Sequence, residues 1–168
     1  MSAPERREAD EAIVALYAGH YHELVRLGAL LLGDASAAEE VVQDAYVSLH
    51  RSWRRVREPD KALAYLRRCV VNGARDRSRR ARVARAHSPA AAPDAPSAEH
   101  EALAVLERRE ILAALAGLSA RQRETLVLRY YADLSEAQIA DVLGISAGAV
   151  KTHASRGLTA LRSRLDGR

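Results

Sequence analysis

Phenylalanine is absent from this chain, and cysteine, methionine and tryptophan occur once each. A core built from it must therefore be aliphatic, drawn from Leu, Val, Ile and Ala. The lone Cys69 excludes an internal disulfide and a cysteine-rich metal site. Apolar runs such as Ile111–Ala116 fall far short of the roughly 20 residues needed to cross a bilayer. The first ten residues carry Glu5, Arg6, Arg7, Glu8 and Asp10, too much charge for a secretory leader. Together these absences predict a cytoplasmic protein with no membrane insertion.

Catalytic signatures are also missing. No glycine-rich phosphate loop occurs. His20 and His22 sit two residues apart and point to different faces of a helix, which does not suit a metal. His50, His87, His100 and His153 are scattered. Cys69 lies on an apolar stripe as a core thiol, not a nucleophile. The sequence predicts no catalytic residues, no metal and no cofactor, hence no enzyme.

What is present is charge, unevenly placed. The chain has 168 residues, 48% hydrophobic and 29% charged, with a net charge of +4. Residues 1–50 hold nine acidic and three basic groups, −6 net; residues 51–87 hold thirteen basic and three acidic, +10 net. Residues 88–120 return to −3 and residues 121–168 to +3. A block at +10 points to a polyanion, through phosphate neutralisation and counterion release. The acidic stretch beside it suits a protein partner.

Helical periodicity runs through almost the whole chain, with no defensible strand. Ile13, Leu16, Tyr17, Leu24, Leu27 and Leu31 predict an amphipathic helix over 9–32, broken at Gly33. Ser36 to Glu39 reads as a capping box opening a second helix to about Arg54. Residues 55–60, with Pro59, read as a loop, and Asp60 as the cap of a third helix to about Arg82. Three of the five prolines fall in Ser88–Ser97, predicting an extended linker between two lobes. Each lobe is near the size where a lone core is marginal, so mutual independence is expected. Helices follow over Glu99–Ala116, from the Ser119–Gln122 capping box to about Tyr131, from the Ser135–Gln138 box to Leu143, and from Ser146 to about Leu165. The expected fold is all-α: two small helical domains, residues 9–86 and 99–168, joined by a Pro/Ala-rich linker at 87–98.

The last two helices carry the functional signal. Ile139, Ala140 and Leu143 are spaced to pack on Ile145, Val150, Ala154 and Leu158, with Gly144 at the turn, which is helix-turn-helix logic. At about 100° per residue from Val150, the apolar Ala154, Leu158 and Leu161 fall within about 80°, while Lys151, Thr152, Ser155 and Arg156 lie at about 100–240°. Two cations and two hydroxyls on an open face suit phosphates and base edges.

The run from Leu134 to Lys151, and Leu118–Tyr131 before it, resemble the C-terminal DNA-binding domain of bacterial RNA polymerase sigma factors. Ala38–Tyr46, Trp53–Val56 and Ala64–Arg77 are similar to that family's N-terminal domain. Two lobes in this order, with a short linker, resemble the extracytoplasmic-function (group 4) sigma factors. The resemblance implies a subunit that binds core RNA polymerase and directs it to promoters. It implies that Val41, Gln43, Asp44, Tyr46 and Val47 meet the β′ clamp helices, and that the C-terminal domain meets the β flap. It assigns Val56, Arg57, Lys61 and Asn72 to the pocket for an unstacked base of the melted −10 element, with Arg67, Arg68, Arg75 and Arg79 along its phosphates. Lys151, Thr152, Ser155 and Arg156 match positions that read the duplex −35 element. Anti-sigma factors are usual partners in that family. Ala149, His153 and Gly157 depart from its common residues, and Gly157 predicts a less rigid last helix. The competing reading is a stand-alone helix-turn-helix regulator, which would bind paired half-sites as a dimer.

Overall fold

A computed structural model describes residues 1–87 and 102–167. Among them only helices and short connections occur. Three long helices form the first lobe: α1 (Ala3–Leu32), α2 (Ala35–Val56) and α3 (Pro59–His87). The second lobe holds α4 (Ala102–Ala116), α5 (Ala120–Leu126), a π-helical continuation (Val127–Tyr131), α6 (Glu136–Leu143) and α7 (Ala147–Asp166).

Helix ends differ from expectation where local capping chemistry wins. α1 begins six residues early because Ser2 and Glu5 form a reciprocal capping box. Asp34, not Ser36, caps α2: its carboxylate accepts from the Ala37 N–H at 3.1 Å. The predicted loop at 55–60 shrinks to Arg57 and Glu58, because α2 continues to Val56 and Pro59 begins α3, where its missing N–H costs nothing. α3 runs on to His87 rather than ending near Arg82. The expected start of α4 at Glu99, and all of the linker except His87, lie outside the described residues. The expected helix to Tyr131 loosens after Leu126, and the Ala132 N–H donates to the Val127 carbonyl.

The first core is aliphatic, as the missing phenylalanines require. Leu24, Leu27, Leu49, Leu66, Val42, Val70 and Val71 are fully buried, and Trp53 anchors its edge. Each such leucine contributes about 1.5–3 kcal/mol of transfer free energy. α2 and α3 approach closely at Gly73, where an added Cβ would stand 2.8 Å from Val41 Cγ1. The second core gathers Leu126, Val127, Leu128, Ile139, Val142, Leu143 and Val150. Gly144 takes φ +65° at the turn between α6 and α7, the left-handed conformation glycine adopts without strain. Gly157 has a packing role that its helix propensity hides. It is buried against α5, and a Cβ there would approach Gln122 and Leu126 to 3.2 Å.

The lobes, expected to be independent, touch in this structure. α3 meets α6, and α1 meets both α4 and the π-helical stretch. The Tyr131 hydroxyl donates to the Glu23 carbonyl at 3.4 Å across the seam.

Candidate nucleic-acid interface

α6 and α7 build the helix-turn-helix from local signals. Ser135 caps α6 with Gln138 in a reciprocal box, and Ser146 caps α7 by accepting from the Ala149 N–H at 3.1 Å. Val150 and Ala154 turn into the core, which leaves Lys151, Thr152, Ser155 and Arg156 together on the outer face. The Lys151 side chain is 70% exposed and stands 3.8 Å from Glu136, which also reaches Arg129 at 3.5 Å. Thr152 Oγ1 donates to the Gly148 carbonyl at 3.1 Å, so its lone pairs remain free to accept. Arg156 forms no ion pair among the described residues.

α3 carries the basic face. At about 100° per residue, Lys61, Arg68, Asn72, Arg75 and Arg79 fall within about 60° of one another, a single ridge along the helix. Arg67 points about 110° away from its centre. It turns toward α1, where it pairs with Glu23 at 3.5 Å and is only 15% exposed. The structure thus separates Arg67 from the other arginines proposed by sequence.

At the start of that ridge, Arg57 closes α2 with φ +41°, a left-handed conformation that is strained for a side chain of this size. Its N–H donates to the Trp53 carbonyl at 3.0 Å, and its guanidinium meets Glu5 at 3.2 Å. Glu5 also receives Arg54 at 3.0 Å. The Ser2 backbone N–H first, and then Arg54, hold the Glu5 carboxyl down at about 2. Lys61 pairs with Glu58 at 2.8 Å, and Val56 is half-buried beside them. Asn72 and Arg79 are open to solvent, Arg79 against Asp76 at 2.6 Å.

Arg75 and Arg68 are differently placed. Both nitrogens of an Arg75 fork donate to Glu124 of α5, Nε at 3.0 Å and Nη2 at 2.8 Å. Arg68 Nη2 donates to the Asp141 carbonyl of α6 at 3.0 Å. Sequence reasoning missed both acceptors. Glu124 offered a signal: it is a carboxylate directly before Thr125, Leu126, Val127 and Leu128, all buried. A charge in a core-facing run needs a partner.

The acidic face of α2 divides in two. Gln43, Asp44 and Val47 are exposed, whereas Val41 and Tyr46 are buried in the first core. Tyr46 donates its hydroxyl to the Leu16 carbonyl at 3.1 Å, and burial first, then Tyr17, pushes its phenol up to about 12. Only the first three can touch a partner directly; the other two fix the helix that carries them. Val14 and Tyr17 of α1 are also exposed, and the Tyr17 ring lies 5.2 Å from that of Tyr46.

No cluster of three or more potential metal ligands occurs among the described residues, and no described helix is long and apolar enough to cross a membrane. Burial pushes the Cys69 thiol up, in keeping with a packing role.

Comparison with known proteins places this geometry. Residues 16–83 match the family model for sigma-70 region 2, and residues 108–161 that for sigma-70 region 4. The chain is 35% identical over 158 residues to the ECF RNA polymerase sigma factor SigL of Mycobacterium tuberculosis, covering 90% of this chain and 87% of that one. It is 32% identical over 148 residues to the RNA polymerase sigma-E factor of Streptomyces avermitilis, covering 86% and 80%. Among solved structures it is similar to CnrH, determined in complex with the cytosolic domain of CnrY, with a TM-score of 0.71, 26% identity and 97% of each chain covered. The sigma factor RpoE of Bartonella quintana, solved with the anti-sigma factor NepR, shares the fold at a TM-score of 0.63 and 22% identity, covering 94% of this chain and 95% of that one.

Proposed function

The chain belongs to the extracytoplasmic-function RNA polymerase sigma factors, and from that premise we propose a division of labour among its residues. It is an alternative sigma factor that directs core RNA polymerase to promoters. Residues 9–86 form the domain that grips the polymerase and the −10 element; residues 99–168 form the −35 domain and meet the β flap; residues 87–98 tether them. Asp44, with Gln43 and Val47, faces the β′ clamp helices, and Val41 and Tyr46 act from within the core by holding α2 in place. Lys61, Asn72 and Arg79, with Arg68 and Arg75, line the melted non-template strand, while Val56 and Arg57 border the base pocket. Arg67 contributes less, because its guanidinium is turned to Glu23. Lys151, Thr152, Ser155 and Arg156 read the duplex −35 element. The protein works in the cytoplasm without catalysis of its own and without metal or cofactor, and an anti-sigma factor restrains it, as NepR partners the similarly folded RpoE of Bartonella quintana.

The observation that carries this reading is the outward placement of all four α7 residues on a helix-turn-helix whose chain also bears a cationic ridge on α3. Run-off transcription with core enzyme on a genomic fragment library tests it: the protein is expected to produce discrete start sites that core alone does not. Asp44→Arg is expected to abolish co-purification with core polymerase. Retained binding moves the interface off α2, and an inverted-repeat operator bound by a symmetric dimer without polymerase overturns the assignment.

A further inference from the structure

Only Arg57 and Glu58 separate α2 from α3. Pro59 follows at once, and its ring disfavours a helical conformation at Glu58. The change of direction therefore falls on Arg57, whose φ of +41° an arginine adopts only under strain. Such a conformation persists where its surroundings over-determine it. Two backbone bonds act there, from the Arg57 N–H to the Trp53 carbonyl and from the Glu58 N–H to the Val56 carbonyl. The third restraint comes from 52 positions away: Arg57 Nη2 donates to Glu5 Oε1 at 3.2 Å. Glu5 is itself fixed. Its other oxygen accepts from the Ser2 N–H at 2.7 Å and from Arg54 Nη2 at 3.0 Å, and its side chain is 29% exposed. Farther along α1, Ala9 is fully buried and Asp10 meets His50 at 3.0 Å, so the first turns of α1 are seated on the last turns of α2.

We propose that Glu5 is a positioning residue for promoter recognition: through Arg57 it holds the α2–α3 turn in the conformation that shapes the pocket for the extruded −10 base. The inference rests on the assignment of that pocket to Val56, Arg57, Lys61 and Asn72. It gives Arg57 a role through its backbone, because its guanidinium is held by Glu5 and not presented to DNA. It also places a determinant of base choice in the first turn of α1, ahead of residues 16–83 that match region 2.

The test uses holoenzyme reconstituted from the full chain and core RNA polymerase. Its template is a pool of one promoter, recovered by the run-off experiment, with the −10 element randomised. Sequencing the templates held in heparin-resistant open complexes gives the base preference at each position. That preference is a ratio within one sample, so a partly unfolded variant lowers the yield without moving it. Glu5→Gln keeps an acceptor for the Ser2 N–H and loses the charge facing the two arginines. It is expected to weaken the preference at one −10 position about fivefold, with the other positions and a pool randomised at −35 unchanged. Arg57→Gln is expected to weaken the same position equally, and the double variant to add nothing, because one residue acts through the other. Asn72→Ala, in the pocket itself, serves as the reference and is expected to alter that position too. An unmoved preference in Glu5→Gln, or single effects that sum in the double variant, overturns the positioning role while Asn72→Ala still acts. If Asn72→Ala also leaves every −10 position unmoved, the pocket assignment beneath it falls instead.

Discussion

At Glu5 one side chain ties the start of the chain to the end of α2. It caps α1, and it receives Arg54 and Arg57. With its folded value held at about 2 against an ordinary 4.5, its contribution is present above about pH 4.5 and fades as the pH falls toward 2. Glu5→Gln is therefore expected to lower stability at neutral pH, with the gap to the unaltered chain narrowing through that acid window. Urea melts at pH 7, 5 and 4 read the gap, and a constant gap refutes the linkage. The side chain is partly exposed, so screening keeps the effect modest. Nothing in the sequence paired position 5 with positions 54 and 57. The Ser2–Glu5 cap is a contact three residues apart, whereas the arginines arrive only through the α1–α2 hairpin.

Among the helices, the positions that matter most are those where two backbones nearly meet. Gly73 places α3 against Val41 of α2 with no room for a methyl group. Gly73→Ala gains helix propensity of about 1 kcal/mol, yet it must push a stiff β-branched side chain. The net expectation is a loss of about 1–3 kcal/mol, read as a lower denaturation midpoint with an unchanged slope. The outward face of α7 invites a different measurement. Lys151→Ala and Arg156→Ala are each expected to cost about 1–3 kcal/mol in −35-dependent transcription if they reach base edges. Unchanged promoter output from the double variant removes α7 from recognition. Most of this level was readable beforehand, because capping boxes and 3.6-residue periodicity act over a single turn. The failures were local contests: Asp34 outcompeted Ser36 for the same N-terminus, and the π-helical stretch after Leu126 left no signature in the residues.

Over the whole molecule, charge is sorted along the chain and then folded into faces. The open members of the α3 ridge are expected to set the salt dependence of strand binding. Removing one phosphate contact reduces the slope of log K against log salt by about 0.7 for a single strand. Arg79→Ala is expected to show that decrease with any strand sequence. Arg67→Ala, turned to Glu23, is expected to leave the slope nearly unchanged. Equal slopes for the two variants contradict the division of the arginines drawn from their orientation.

The sequence by itself determined the helical class, the order of the two lobes, the helix-turn-helix with its four outward residues, and the basic block, because each depends on spacing within a few turns or on composition. It also singled out a segment of α2 but not its outward side: of the five residues named there, Val41 and Tyr46 belong to the core, and only Gln43, Asp44 and Val47 reach solvent. Which arginines are free was settled by tertiary structure alone. A guanidinium is claimed by whichever carboxylate or carbonyl packing brings within about 3 Å, and residues 49 and 73 positions away along the chain, such as Glu124 for Arg75 and Asp141 for Arg68, become neighbours only when the lobes dock.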